Sequence, residues 1–582
     1  MKFLKRCAGL SLVSATLLAV PAAAQQIPVI ERHLSNGMKL LMVERHEEPR
    51  IAGGWVVKVG SANERLGITG IAHLFEHMMF KGTPTLGTRD AARDLELIAE
   101  QERVRDLMRL EEASMRLALR RGEVDDLSPP TNATPRHQEL QAEFRRLIEE
   151  QRELLVKNEF DRVYTTAGAS GMNAFTSEDM TGYFINVPAN KLELWCWMES
   201  ERLLHPVFRE FYAERDVVYE ERRLRVESTP LGKFAETFNA VFWDAHPYMW
   251  PVIGWPSDVA NISRREADEF YALFYQPQNI TLILVGDFQP EAAVELVERY
   301  FGRIPAGIRP PPEVTTQEPP GVAEKRMYAE AETNPQVDIL WKTVAFRHRD
   351  SYPLDVLQLL LTGRTGRLYK GLVLGREVAT ETYAQQDSRK WAGLFNIGGE
   401  AKEGRTPEEV EAAIDAELDR LKEELVPAEE LQKVKNQFAA FEYRKLTANF
   451  PIFLQVLQNE GLGDWREVNE AAAKLQAVTA EDVQRVARKY FTREDRAVAI
   501  YTRKPGTGDA SEDPDLAGLS ADQRPIILRI VQSLTAETDV AQLRQALAQM
   551  QAEGDNADPK RQQLQRIIRK KLAERIAELE NN

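Results

Sequence analysis

Two histidines and a glutamate lie close enough in this sequence to bind and use a metal ion. His73, Glu76 and His77 form the pattern His-x-x-Glu-His within the segment 70–80. If this segment is helical, residues three and four apart share a face, so both imidazoles can hold one divalent metal ion. Glu76 is then placed to accept a proton from a water molecule. The alternative is a core helix whose histidines only bond to neighbouring groups.

The residues around this pattern indicate how it is positioned. Ile71, Leu74, Phe75 and Met78 would form an apolar face that buries the helix in a core. Strand-like sequence precedes it from residue 27 to 60, with a predicted hairpin turn at Asn36-Gly37. The pattern therefore predicts a metal helix that packs on a sheet.

An acidic helix is predicted from about residue 210 to 228, and it offers further ligands. Glu214 and Glu221 are seven residues apart, so they share a face of that helix. Several carboxylates on one helix usually form only a solvated surface. Here, however, they could supply the third protein ligand of a site that leaves one position open.

The N-terminus and the composition limit the location and the partners. Residues 1–24 have a basic start, an apolar run and small residues before Gln25, which predicts a signal peptide cleaved after Ala24. We therefore expect a periplasmic or secreted protein. No later stretch reaches the ~20 apolar residues of a transmembrane helix. Cys7 leaves with the signal, so Cys196 has no intrachain partner. A net charge of −15 argues against nucleic acid as a partner.

A highly charged helical segment interrupts the sequence between the two halves of the candidate site. Apolar residues recur in it at heptad-like spacing on either side of a break at Leu127–Asn132. They are Leu97, Val104, Met108 and Met115, then Leu140, Phe144, Leu147 and Leu154. The spacing predicts a helical-hairpin arm, of coiled-coil type, at about residues 98–160. It could be a solvated decoration or a surface for a partner.

An internal repeat indicates two related domains. A capped helix followed by a strand at residues 262–284 recurs at residues 478–500, a constant offset of 216. The predicted fold class is α+β, with two homologous α/β-sandwich domains, an inserted helical arm and a helical C-terminal tail. We divide the chain into a first domain at 27–306, a Pro-rich linker at 307–320, a second domain at 321–503, and a linker with a helical tail at 504–582.

These features together resemble the M16 (pitrilysin-like, inverzincin) metallopeptidases, which include insulin-degrading enzyme and the mitochondrial processing peptidase. The resemblance is greatest to the bacterial two-domain branch and covers about residues 27–502. It rests on segment 73–83, on Asn173–Ser177, on Glu214–Glu221 and on the duplication.

The resemblance implies a role for each of these residues. His73, His77 and Glu221 would bind one Zn²⁺ per chain, and Glu76 would be the general base. Glu214 would not bind the metal itself but would contact one of the metal ligands and hold it in position. Asn173 and Ala174 would lie on an edge strand that receives the substrate backbone. The implied activity is that of a zinc metalloendopeptidase acting on peptides or unfolded segments; the alternative is a non-catalytic or weakly active assembly subunit.

Two departures from the family pattern bear on this assignment. The spacing from His77 to Glu221 is 221 − 77 = 144 residues, longer than is usual in the family, and the predicted arm accounts for the excess. The family also uses an Arg and a Tyr from the second domain to orient substrate.

Arg376 and Tyr383 have the spacing of that pair, but Val373 and Thr380 align better with its positions. The resemblance also implies a dimer, because two-domain chains of this family form one half of a clamshell that encloses the substrate. The alignment favours a hetero-dimer with a metal-free M16-like subunit over a homodimer.

Overall fold

The computed structural model describes residues 26–126, 132–504, 530, 534, 539–552 and 559–581. The predicted signal peptide, the break at Leu127–Thr131 and most of the linker after Lys504 lie outside these residues. The chain divides into two compact units, one ending at Thr502 and one beginning at Arg503. The first unit contains two β-sheets with helices packed on them, which confirms the predicted α+β class.

The first sheet has six strands in the order β1-β2-β6-β3-β5-β4. The strands are β1 Ile30–His33, β2 Lys39–Glu44, β3 Arg50–Val57, β4 Ser170–Thr176, β5 Thr181–Pro188 and β6 Ile280–Gly286. β2 and β6 run parallel, and the other pairs are antiparallel. The hairpin predicted at Asn36-Gly37 joins β1 to β2, with Gly37 at a φ of 87°.

Ten α-helices accompany this sheet in the described part of the chain. They are α1 Ile71–Met78, α2 Ala91–Arg120, α3 Pro135–Leu154, α4 Glu159–Thr166, α5 Leu192–Leu204, α6 Phe211–Arg222, α7 Gly232–Phe242, α8 Pro256–Asn261, α9 Arg264–Phe274 and α10 Pro290–Phe301. A π-helical turn, Arg223–Glu227, continues α6. Short 3₁₀ turns lie at Ser61–Asn63, Ala189–Lys191, Pro247–Met249 and Pro277–Asn279.

The second sheet has five strands in the order β7-β11-β8-β10-β9. They are β7 Lys325–Ala331, β8 Gln336–Thr343, β9 Ala379–Ser388, β10 Gly393–Ala401 and β11 Arg496–Arg503. The helices around it are α11 Ser351–Leu361, α12 Pro407–Glu423, α13 Ala428–Lys445, α14 Asn449–Leu462, α15 Glu467–Gln476 and α16 Ala480–Tyr490, with a π-helical turn at Tyr369–Gly375.

The repeat found in the sequence is a repeat of structure. Helix α9 and strand β6 recur as α16 and β11, and the offset between their first residues is again 216 (264 to 480, 280 to 496). Ser263 and Thr479 each begin their helix with a capping box, in which a side-chain oxygen accepts the backbone N–H three residues on. The predicted capped helix followed by a strand is confirmed in both copies.

The two halves exchange a helix. Phe238 and Phe242 of α7, in the first half, pack on the second sheet, and Phe453 and Leu457 of α14, in the second half, pack on the first sheet. The offset of 216 places α7 over residues 448–458, which lie within α14 apart from the first of them. Each half thus covers one face of the other's sheet. Both sheets are buried on two faces because of this exchange.

A buried carboxylate fixes α14 on the first sheet. Glu460 is fully buried and accepts hydrogen bonds from Lys39 Nζ at 2.8 Å, Lys58 Nζ at 2.7 Å and Thr281 Oγ1 at 3.0 Å. Burial opposes the charge on Glu460, but the two lysines outweigh it and hold the pKa below its usual value. One side chain of the second half therefore joins β2, β6 and the residue that follows β3 in the first half.

The arm is formed by α2 and α3, which pack together through an apolar strip. Leu97, Val104, Met108, Leu140 and Leu147 are its buried residues. At its base, Gln151 donates to Asp94, which in turn is paired with the buried Arg209 of the body. The first arm helix begins at Ala91, where the Asp90 carboxylate accepts the N–H of Arg93. The arm therefore begins with α2, which is the first α-helix after α1 in the chain.

The second unit contains two helices, α17 Val540–Ala552 and α18 Pro559–Asn581. They pack through Leu543, Leu572 and Ile576. In the part of the chain that the structure covers, no helix combines the length and the apolar character of a membrane span.

We predict that Glu460→Ala destabilises the whole first unit by about 3 kcal/mol, because two lysines lose their shared buried partner. Glu295→Ala, an exposed position in the middle of α10, is the control and should change stability by less than about 0.5 kcal/mol. Urea denaturation followed by tryptophan fluorescence measures both. Equal effects of the two substitutions would show that Glu460 does not fix the exchanged helix.

Candidate metal centre

Helix α1 is fixed by an apolar face and by a carboxylate at its N-terminus. Ile71, Leu74 and Phe75 are buried in the core of the first half. Glu64 accepts the backbone N–H of Gly70 at 2.9 Å and of Ala72 at 2.8 Å. Burial raises the pKa of Glu64, and these two bonds oppose that shift. A carboxylate in this position binds donors that the first turn of a helix leaves unpaired.

The loop before α1 is fixed by a second carboxylate. Asp258 accepts the backbone N–H groups of Gly67 and Thr69, and the Thr69 hydroxyl at 2.8 Å. Sequence analysis did not identify Glu64 or Asp258. An acidic residue a few positions before a helix start is a signal that could have identified Glu64.

The structure brings His73, His77 and Glu221 together. Glu221 Oε2 lies 3.4 Å from His77 Nε2 and 3.8 Å from His73 Nε2. One potential ligand atom from each residue falls within 4.8 Å of the others. Atoms bound tetrahedrally to one ion at about 2.1 Å lie about 3.4 Å from each other. The three side chains therefore fit a single divalent ion with little movement.

The protonation of the two imidazoles also fits a metal ion. Burial, with smaller effects of His77 and Arg225, lowers the pKa of His73 to about 3, so its ring is neutral and able to ligate. Burial also opposes a charge on His77, but Glu214, Glu221 and Glu76 outweigh it and raise its pKa. The centre thus favours positive charge at His77, where a bound cation would replace the proton.

Helix α6 supplies both carboxylates that the sequence singled out. Glu214 and Glu221 lie two turns apart, and Glu214 Oε2 is 3.4 Å from His77 Nδ1, the nitrogen that does not face Glu221. Lys81 pairs with Glu214 and, at 3.4 Å, with Glu210. Glu214 therefore contacts the rear of a candidate ligand, as the sequence predicts. A partner in this position orients the imidazole.

Glu76 is held by a hydroxyl group that the sequence analysis did not single out. Thr176 Oγ1, at the end of β4, donates to Glu76 Oε2 at 2.7 Å. Burial raises the pKa of Glu76, and the Thr176 bond opposes this shift. A carboxylate with a raised pKa is closer to the range in which it can exchange protons near neutral pH. Thr176 shares a strand face with Ala174, so period-2 spacing could have identified it.

Asn173 and Ala174 lie on the edge of the first sheet, as predicted. Their strand, β4, ends the sheet order, and among the described residues it pairs with β5 alone. Both residues line a cavity of about 510 Å³ that Glu76 and His77 also line. An unpaired strand edge that opens into this cavity can accept an extended chain.

The pair Arg376 and Tyr383 lies in the second half. Arg376 is exposed at the end of a π-helical turn, and Tyr383 on β9 donates its hydroxyl to Asp338. Thr380, the other candidate, donates to Glu400 at 2.9 Å. In the described residues no hydrogen bond or ion pair connects these side chains to His73, His77 or Glu221.

Comparisons with known families and proteins agree with this geometry. Residues 39–102 match the family model described as Insulinase (Peptidase family M16), and residues 261–438 match the one described as Peptidase M16 inactive domain. The zinc protease PqqE of Helicobacter pylori is 25% identical over 84% of this chain and 96% of its own length. The uncharacterized zinc protease YmxG of Bacillus subtilis is 22% identical over 80% and 96%.

Solved structures share the fold. A protease from Helicobacter pylori superposes with a TM-score of 0.66 at 23% identity, over 81% of this chain and 99% of its own. A peptidase M16 inactive domain from Pseudomonas fluorescens gives 0.63 at 15% identity, over 82% and 98%. At these identities the likeness concerns the fold alone.

Proposed function

The chain belongs to the M16 family, and on that premise we propose that it is a zinc metalloendopeptidase acting on peptides or unfolded polypeptide segments. The observation that carries the proposal is the meeting of His73, His77 and Glu221 beside Glu76, at an open strand edge. Relatives named as zinc proteases support zinc as the metal.

His73, His77 and Glu221 would hold the zinc ion. When bound, zinc supplies a Lewis acid that polarises the scissile carbonyl and lowers the pKa of a water molecule. Two neutral imidazoles and one carboxylate are a donor set typical of catalytic zinc. Glu214 contacts His77 Nδ1 and would hold the ring so that Nε2 is the nitrogen free to bind the ion.

The other residues move a proton and position the substrate. Glu76 accepts the proton of the attacking water and transfers it to the leaving amine, while Thr176 holds one of its carboxylate oxygens. The substrate backbone adds to the edge of β4 at Asn173 and Ala174. Only an extended segment can pair in this way, so the proposed substrates are peptides and unfolded chains.

The alternative is a non-catalytic assembly subunit of the same fold. One structural neighbour is titled as a peptidase M16 inactive domain. In this chain, however, His73, Glu76, His77 and Glu221 are all present and face one another. We therefore favour the enzyme.

We further propose that the chain forms a dimer and that it is exported. The hydroxyl of Tyr383 is already bonded to Asp338 within its own sheet, which agrees with the view that this chain does not supply the substrate-orienting pair. We favour a metal-free M16-like subunit as the partner over a second copy of the chain. A periplasmic location rests on the predicted signal peptide at residues 1–24.

We predict that Glu76→Gln keeps one zinc per chain but loses about 10²–10⁴-fold in peptide cleavage, because only the proton acceptor is removed. Metal content is measured by plasma mass spectrometry and cleavage with an unstructured fluorogenic peptide. Glu295→Gln is the matched surface control and should retain both. Full activity in Glu76→Gln, or in protein freed of zinc by a chelator, would contradict the proposal.

The role of the second half is tested with Tyr383→Phe and the purified chain alone. If another subunit supplies the orienting pair, the isolated chain should be nearly inactive, and Tyr383→Phe should change little after the partner is added. If Tyr383 instead binds the developing oxyanion, the isolated chain should be active and Tyr383→Phe should lower kcat more than it affects KM. That second result would replace the hetero-dimer with a homodimer.

A further inference from the structure

We propose that Lys157, at the base of the helical arm, forms a subsite for a carboxylate of the substrate close to the cleaved bond. The inference rests on the proposed peptidase function and adds a preference for acidic substrates to it. The base of the arm forms part of the wall of the cavity beside Glu76.

Hydrogen bonds hold the base of the arm on the segment that follows α1. Val156 donates its N–H to Gly87 O at 3.1 Å, and Gly87 donates to Glu159 at 2.7 Å. Arg89 donates to Leu154 O at 2.9 Å. Segment Leu155–Phe160 is thereby held as one side of the cavity, with Glu76, Asn173 and Ala174 also in its lining. The position of Lys157 relative to the metal centre is therefore fixed by backbone contacts.

The other charged groups of this cavity have partners. Lys81 pairs with Glu210 and Glu214, and the buried Arg209 pairs with Asp94. Glu159 pairs with Arg162 at 3.0 Å. These other cations and carboxylates that line the cavity therefore have ionic partners, and Glu76 is the exception.

Lys157 differs from them. It lines the same cavity, its residue is exposed, and it forms no hydrogen bond or ion pair with any group in the described part of the chain. Its neighbour Asn158 has a φ of 54°, which turns the chain sharply into α4. Lys157 is therefore a cation without a counter-ion in a cavity where the other charged groups, apart from Glu76, have ionic partners.

A substrate strand on β4 would pass this lysine. Side chains alternate along an extended chain, so those of one face enter the cavity that Asn173 and Ala174 line. An acidic side chain there would complete the missing ion pair. The attraction is larger in a partly enclosed site than in open water, because the effective dielectric constant is lower. A basic side chain in the same place would meet an uncompensated like charge.

The test uses a peptide capped at both ends, with Asp, Asn or Lys placed in turn at each position around the cleaved bond. The wild-type chain, with its partner if one is required, should cleave the Asp peptide about fivefold faster than the Asn peptide at one or two adjacent positions, as kcat/KM. Lys157→Ala should bring this ratio to about 1. Lys157→Glu should reverse the preference towards the Lys peptide.

Arg152→Glu is the matched control, since it reverses one exposed charge of the arm outside the cavity. It should leave the Asp-to-Asn ratio at the wild-type value. If Arg152→Glu alters the ratio as much as Lys157→Glu does, the preference comes from the overall field of the arm and the subsite is overturned. An Asp-to-Asn ratio that is unaffected by Lys157→Ala also overturns it.

Binding to the Glu76→Gln chain separates this inference from the proposed function. A preference for Asp peptides that depends on Lys157, measured by fluorescence anisotropy, supports the subsite even if no chain cleaves any peptide. In that case only the peptidase proposal fails. If neither binding nor cleavage depends on Lys157, the inference is wrong.

Discussion

Three carboxylates and two imidazoles lie on the facing sides of α1 and α6, and this crowding of acidic groups favours a cation between them. Glu76, Glu214 and Glu221 all contribute to the raised pKa of His77. The apolar face of α1 is committed to the core, so its polar face cannot turn away from these groups. Much of the first half serves to hold this arrangement: Glu64 and Asp258 fix the start of α1, and Thr176 fixes the carboxylate of Glu76.

The second half lacks the metal-binding pattern, yet the first half depends on it for its own fold. Helix α14 covers a face of the first sheet that would otherwise be exposed and apolar, and Glu460 joins it to β2, β6 and the residue after β3. Helix α7 does the same for the second sheet. Helix α7 follows the π-helical turn of α6 after four residues, so Glu221 and the exchanged helix lie in one short segment of the chain. The second half carries no metal ligand, but through this exchange it has a structural role in the fold of the first half.

Local patterns in the sequence predicted the features that depend on local geometry. The spacing of His73, Glu76 and His77 requires only a helix, and the seven-residue spacing of Glu214 and Glu221 requires only a second one. The offset of 216 predicted two copies of a capped helix and strand, and the structure contains both. What the sequence could not predict depends on contacts between distant residues. The Glu64 bonds, the Thr176 bond and the exchange of α7 and α14 arise only when separate elements meet. In the sequence analysis the arm is either a solvated decoration or a surface for a partner, and neither interpretation places its base, Leu155–Phe160, in the lining of the cavity beside the metal centre.

The zinc site proposed at His73, His77 and Glu221 can be observed directly in crystals of the zinc-loaded chain, measured on both sides of the zinc absorption edge. We expect one anomalous peak per chain, about 2.0–2.2 Å from His73 Nε2, His77 Nε2 and a Glu221 oxygen, with Glu214 bonded to His77 and not to the ion. A peak coordinated by Glu214 in place of Glu221, or zinc bound elsewhere while these three side chains contact only each other, would contradict it.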